Sequence, residues 1–360
     1  MAKREIVVSV GEADELDGVP LPRETSGLIG HGEAEGALLA AYRSERFHHA
    51  WIIGGLRGIG KATLAFRFAR YVLSHPDRFS DAVAQAKDLS VEPQSPVSRK
   101  IAAGSHPDLL HLRRPYDDKR DRFKSDLPVD EVRRTVSFFG STAAGGNWRV
   151  CIVDAADDMN LSAANALLKI LEEPPPRSVF LVLSHAPGRL LPTIRSRCRQ
   201  LLLRPLSGVE MGEGIAHALP GLDLSNDDLE RISRLADGSL RRAIQLAAGG
   251  GLDFAREFEA MVALLPHIDV DRLHRFAEMA GANGAEDAWQ LFHDLAADYL
   301  HRRLKEDASG SGGRLVRWSE VWEKTVTAVS QAEALNLDRK QVILSVFRQM
   351  AEAERMRSRN

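Results

Sequence analysis

The sequence predicts an α/β domain with a mostly parallel sheet, followed by two all-helical segments. Short apolar runs of strand type stand at His49–Ile53, Leu109–Leu112, Arg149–Asp154, Ser178–Ser184 and Gln200–Leu203. Helical patterns at Val129–Phe139 and Leu161–Leu171 separate most of the later ones. Alternating β and α elements favour parallel strands with helices on both faces and ligands at the strand C-terminal ends. A third observation marks one such end: Gly55-Leu56-Arg57-Gly58-Ile59-Gly60-Lys61-Ala62-Thr63 follows directly on His49–Ile53.

That stretch is a phosphate-binding loop with one defect. In the pattern GxxxxGK[ST], glycine backbone wraps the phosphates, the lysine reaches the outer two, and the following hydroxyl holds a magnesium ion. Gly55, Gly60 and Lys61 are in place, with Gly58 between them. After Lys61, Leu64, Phe68 and Val72 recur every four residues, as do Ala65, Ala69 and Leu73, so the loop opens into a helix. The helix start supplies N–H groups and a positive dipole end. Ala62, however, stands where the hydroxyl belongs, and Thr63 lies about 100° further round the helix. The loop is expected to hold a nucleotide and to be poorly equipped to hydrolyse it.

A second gap lies on another strand. Val150-Cys151-Ile152-Val153-Asp154 ends in an acid, as a magnesium-positioning strand does, but the next residue is Ala155. An alanine can neither accept a proton nor orient water. The plainer alternative is a buried strand whose Asp154 caps the next helix.

Composition bounds the rest. A chain of 360 residues is long for one core, so two or three domains are expected. Hydrophobic content of 44% and charged content of 27% describe a soluble globular protein. A net charge of −2 gives no global pull toward nucleic acid. The two cysteines, Cys151 and Cys198, suit a reducing cytoplasm and leave no four-cysteine zinc module. No apolar run has the length of a membrane span, and Met1–Glu5 lacks the apolar core of a signal peptide. Pro93–Pro107 and Asp117–Asp126 are expected as surface loops. His48 and His49 are adjacent and cannot point at one ion from a regular strand.

Asn165-Ala166-Leu167-Leu168-Lys169-Ile170-Leu171-Glu172-Glu173-Pro174-Pro175, a strand, and then Ser196-Arg197-Cys198 form a specific combination. Arg46–Ala50, Gly238–Arg241 and Ala334–Asp338 add to it. With these the chain resembles the clamp-loader branch of the AAA+ ATPases, over most of its length but thinly at 76–126 and 250–330. The resemblance implies an AAA+ α/β domain (1–205), a small helical lid (206–250) and an all-α collar (251–360) that joins subunits. It also implies a hetero-pentamer with gamma/tau motor subunits and a delta subunit, which places a sliding clamp on primer-template DNA. Within that branch the chain is similar to the stator, which supplies an arginine finger to a neighbouring motor. Arg197 is the matching position, supported by Ser196 and Cys198. A fixed guanidinium neutralises charge spread over the γ-phosphate during transfer, worth roughly 10³–10⁵ in rate. Ser184 matches the γ-phosphate sensor and Arg241 the second sensor. The plainer readings are a capping serine, a helix-surface arginine and a solvated basic turn at Arg195–Arg199.

The expected cofactor is therefore ATP bound without turnover, with magnesium weak or absent and no zinc. Two alternatives stand beside the stator: an active ATPase motor, opposed by Ala62 and Ala155, and a DNA-binding scaffold, opposed by the near-neutral charge. From Pro205 to Ala248 the pattern is helical, with Leu229, Ile232 and Leu235–Ala236 on one stripe. Gly249–Gly251 is expected as a hinge, and Ala308–Gly313 as a flexible loop among the amphipathic helices of 252–360. There Trp289, Phe292, Leu295, Trp318, Trp322 and Phe347 are expected to pack helices together.

Overall fold

Side-chain alternation along the central strands divides the first core into two layers. In β1 (Ala50–Gly54), Ala50 and Ile52 face one side and Trp51 and Ile53 the other. β5 (Arg149–Val153) and β6 (Ser178–Ser184) repeat the pattern, with Cys151, Val153, Phe180 and Val182 on the first side. Val150, Ile152, Val179, Leu181 and Leu183 lie on the second. Strands buried on both faces are apolar throughout, as a parallel sheet sandwiched by helices requires.

The computed structural model describes residues 15–16, 18–117, 122–140, 147–154, 156–248, 250–282, 285–308, 312–335 and 337–357. Expectations placed on Met1–Glu5, Ala155, Gly249, Asn336 and the last three residues lie outside that set. The chain divides into two compact units, Met1–Leu222 with Asp237–Arg241, and Asp223–Ala236 with Arg242–Asn360.

In the first unit, β2 (Leu109–Leu112) and β7 (Arg199–Leu202) complete a five-stranded sheet of order β2-β5-β6-β1-β7, every pairing parallel. α1 (Gly32–Arg43), α2 (Lys61–Ser74) and α4 (Pro96–Ala102) contribute to the core on one face. α3 (Asp81–Gln85) adds the buried Val83 to that layer. α5 (Val129–Gly140), α6 (Leu161–Glu172) and the short α7 (Pro192–Arg195) contribute on the other. The strand expectations hold within a residue. Two loop expectations do not. Within Pro93–Pro107, Pro96 opens α4, Ser95 caps it by accepting from the Ser98 N–H, and Ile101 is fully buried. Such a cap stabilises a helix by about 1 kcal/mol, and proline at the first turn forfeits no hydrogen bond. Within Asp117–Asp126, β3 (Tyr116–Asp117) and β4 (Arg122–Phe123) pair antiparallel, with the Tyr116 and Phe123 rings edge to face at 5.2 Å. α8 (Gly208–Ala218) starts with a capping box between Ser207 and Glu210.

The second unit is helical: α9 (Asn226–Ala236), then α10, which runs over Leu240–Ala247 with its residues from Arg242 onward in this unit. α11 (Gly251–Ala263), α12 (Val270–Gly281), α13 (Glu286–Ala308), α14 (Gly312–Leu335) and α15 (Arg339–Arg357) follow. Its centre is aromatic: Phe258 lies within 6.4 Å of Phe276, Phe292 and Phe347. Trp289, Phe292, Leu295, Trp318 and Phe347 are buried, and Trp322 is partly so. Burying a large side chain contributes about 1.5–3 kcal/mol, which accounts for those residues without a ligand. The hinge expectation is corrected at its last two glycines. Gly250 caps α11 at φ +85°, and Gly251 is buried where a Cβ would meet the Gln245 carbonyl at 2.0 Å. The Ser/Gly loop at Ala308–Gly313 is shorter than expected, since α13 includes Ala308 and α14 begins at Gly312; its residues 309–311 lie outside the described set. No helix among the described residues is long and apolar enough to cross a membrane.

Candidate functional site

The loop between β1 and α2 is wrapped by its own glycines. Gly58 has φ +76° and Gly60 φ +106°, while Ile59 between them stays on the negative side. Backbone that alternates in hand turns successive N–H groups toward one concave side, an anion-binding nest, here closed by the start of α2. The carbonyls are held by donors from Gly55 to Gly60. Lys61 Nζ donates to the Gly55 carbonyl at 2.7 Å and the Leu56 carbonyl at 2.6 Å. Ser239 Oγ donates to the Arg57 carbonyl at 2.8 Å, and the Arg241 N–H to that of Gly58 at 3.0 Å. His31 Nε2 lies 2.6 Å from the Ile59 carbonyl, and the Leu64 N–H donates to Gly60 at 3.0 Å.

His31 is 3% exposed, and burial lowers its pKa; facing a carbonyl oxygen, its Nε2 is the donor. Gly58 is irreplaceable on space alone: a Cβ there would meet Arg241 Cβ at 2.5 Å and Ser239 Oγ at 2.6 Å. Thus Arg241, expected as a second sensor, holds the loop through its backbone. Lys61 is 5% exposed and spans the loop's mouth. Ala62 and Thr63 occupy the first turn of α2, half-buried. The donor set fits phosphate oxygens; at Ala62 it offers no hydroxyl for a cation.

The neighbouring strand ends are occupied. Asp154 Oδ2 meets His111 Nε2 from β2 at 3.3 Å, with the His111 ring edge to face with Phe66. Ser184 is fully buried, and its Oγ donates to Asp157 Oδ1 at 2.8 Å. Asp157 also accepts from the His185 N–H at 2.6 Å and the Ala186 N–H at 3.1 Å. The structure therefore brings Gly55, Gly58, Gly60, Lys61 and Arg241 together as one loop assembly. Ser184 and Asp154 stand at the same sheet edge, each bonded to a partner. His31, Ser239 and Asp157 were missed by sequence reasoning; their partners lie 27 to 182 residues away. Asp157, three residues past the strand acid, was the most accessible signal.

Arg197 lies elsewhere. β7 pairs with β1 from Trp51↔Arg199 to Gly54↔Leu202, so Arg197 precedes the start of β7 while the loop follows the end of β1. The two are separated by at least the strand's length, roughly 10 Å at 3.3 Å per residue. Arg197 is half-buried, with Nη2 on Glu172 Oε1 at 2.8 Å and Nη1 on the Thr193 carbonyl at 3.0 Å. Glu172 is the last residue of α6, whose following strand β6 begins at the same edge. Ser196 Oγ donates to the Thr193 carbonyl at 3.0 Å and lies 3.3 Å from Arg197 Nη1. Cys198 is buried with Leu190 and Ile194, and burial pushes its thiol up to about 12. That is a packing residue, not a nucleophile. His48 and His49 stack on each other, and no cluster of metal-binding side chains occurs among the described residues.

A sequence model of the family described as "DNA polymerase III, delta subunit" matches residues 30–207. Over 203 residues, 56% of this chain, it is 38% identical to the DNA polymerase III subunit delta' of Pseudomonas aeruginosa. Residues 30–207 thus match the DNA polymerase III delta-subunit family, and the chain is similar to delta' subunits of DNA polymerase III. It is 32% identical over 212 residues to the delta' subunit of Escherichia coli. The matched stretches span 56% and 58% of those two proteins. It is also 28% identical over 284 residues to the DNA polymerase III subunit tau of Salmonella typhimurium, covering 41% of that protein. All the loop, strand-end and Arg197 residues described above, except Ser239 and Arg241, fall within the family match.

Proposed function

We propose that this chain is the stator of a clamp loader, assembling with gamma/tau motor subunits and a delta subunit in the cytoplasm to place a sliding clamp on primed DNA. It completes a neighbour's ATP site with Arg197 and does not turn over ATP itself. The observation that carries this reading is the placement of Arg197 across the sheet from the chain's own phosphate loop. An arginine at the edge where strands begin cannot serve the loop where they end. Held by Glu172 and Thr193, its guanidinium is pre-set to meet phosphate oxygens presented by a second molecule. The family supports the partners, since its members are named as polymerase III subunits.

Hydrolysis by the chain's own loop lacks support at three points. Ala62 carries no hydroxyl for magnesium, the residue after Asp154 is alanine, and the Ser184 hydroxyl is spent on Asp157. The nucleotide, when bound, supplies only charge and bulk, and Gly55, Gly58, Gly60 and Lys61 are the residues that would hold its phosphates.

Reconstitution with motor and delta subunits, with and without this chain, tests the proposal. Clamp- and DNA-stimulated ATP turnover should fall when the chain is left out. Turnover that does not depend on the chain would contradict it.

A further inference from the structure

We infer that the phosphate loop of this chain takes a nucleoside diphosphate, without magnesium, in preference to a triphosphate. The inference rests on the loop's being a phosphate cradle, not on the role of Arg197.

The loop is a preformed phosphate cradle. The alternation of Gly58, Ile59 and Gly60 and the outward-held carbonyls leave the N–H side of the loop as the concave wall. Lys61 crosses the mouth, tied to the loop's first two carbonyls. Ser239, His31 and the Arg241 backbone hold this shape from outside, so the cradle is formed before any ligand arrives. A preformed cradle of backbone donors loses no ordering entropy on binding and needs no cation to fold it.

A third phosphate is not provided for. A terminal phosphate adds negative charge that a cation, or a donor at the end of the strand between the loop strand and the acidic strand, would have to answer. β6 is that strand, lying between β1 and β5, and Ser184 is its last residue. A serine hydroxyl has one proton, and this one points at Asp157 from a fully buried position. Asp157 is fixed in turn by two backbone N–H groups, so releasing the proton would leave a buried acceptor short of a donor. The cation has no better footing. Ala62 presents a methyl group at the hydroxyl position, so the loop supplies no side-chain ligand for it. Neither the Ser184 hydroxyl nor Ala62 therefore answers the added charge of a triphosphate.

Isothermal titration of the full chain with ADP and with ATP, in EDTA and then in magnesium, tests this. ADP should bind about tenfold more tightly than ATP, the worth of one charge-assisted hydrogen bond, with no gain from magnesium. Ser184→Ala should leave the ADP-to-ATP ratio unchanged, because its hydroxyl contributes to neither. Lys61→Ala should weaken ADP about tenfold or more. Displacement of ADP by inorganic pyrophosphate on the unmodified chain checks the same point without a variant. Tighter binding of ATP, strengthening by magnesium, a loss of ATP affinity alone in Ser184→Ala, or no displacement by pyrophosphate would overturn the inference. So would failure to bind either nucleotide. That last result would leave the stimulation of a neighbour by Arg197, measured in the assembly, untouched.

Discussion

Glu172 at the end of α6 and Arg197 after α7 form a 2.8 Å ion pair at the edge of the sheet where the strands begin. The side chains are 43% and 37% exposed, so the pair adds little to stability: exposed ion pairs contribute about 0–1 kcal/mol. Its effect is on where the guanidinium points. Together with the Thr193 carbonyl, Glu172 limits Arg197 to a narrow range of positions.

Glu172→Gln should therefore separate positioning from folding. The melting temperature of the purified chain should move by no more than about 2 °C, as expected for loss of an exposed pair. Turnover at the one site that Arg197 serves should fall about three- to tenfold, and the assembled loader's rate by part of that site's share, since a misplaced group costs rate without being absent. Unchanged turnover would mean that Glu172 does not set the arginine.

Gly58→Ala should damage both fold and loop. The added Cβ collides with Ser239 and Arg241, at a φ of +76° that alanine tolerates poorly. A loss of about 1–3 kcal/mol is expected by urea unfolding, and ADP binding should be lost with it. Stability equal to that of the parent chain would show that the Ser239–Arg241 segment does not hold the loop.

Glu210 gives a pH test. Chiefly its hydrogen bond to Arg204, aided by the backbone and hydroxyl of Ser207, lowers its pKa to about 2 from 4.5. A carboxyl depressed on folding contributes stability above its unfolded pKa and loses it as pH falls through the folded value. Stability at the start of α8 should decline between about pH 4.5 and 2. Glu210→Gln should flatten the slope in that window, measured by urea unfolding at several pH values. An identical slope in the variant would assign the acid sensitivity to other carboxylates.

The strands, the loop and the arginine turn were legible because each is local. β6 is a seven-residue apolar run, α2 repeats at four, and GxxxxGK is read from neighbours. The helix at Pro96–Ala102 was hidden because its composition is that of a loop; the proline and serines that suggested one serve as its first turn and cap. The glycines at 250 and 251 looked like a hinge for the same reason, though one caps a helix and the other is packed too tightly for a side chain. What no periodicity discloses is long-range pairing. That Ser239 would reach Arg57 across 182 residues, or that Asp157 would take the proton of Ser184, follows from the fold alone. Those contacts change the meaning of the motif residues: Ser184, expected as a sensor, faces inward in space.

The most direct test is the ATP turnover of a loader reconstituted with Arg197→Ala in place of the parent chain, with assembly verified by size-exclusion chromatography. An arginine that completes a neighbour's site should cost about 10³-fold at the site it serves when removed. The assembly's stimulated rate should then fall by that site's share, and Arg197→Lys should restore little of it, because an ammonium lacks the planar fork. Full turnover by an intact assembly carrying Arg197→Ala would contradict the account.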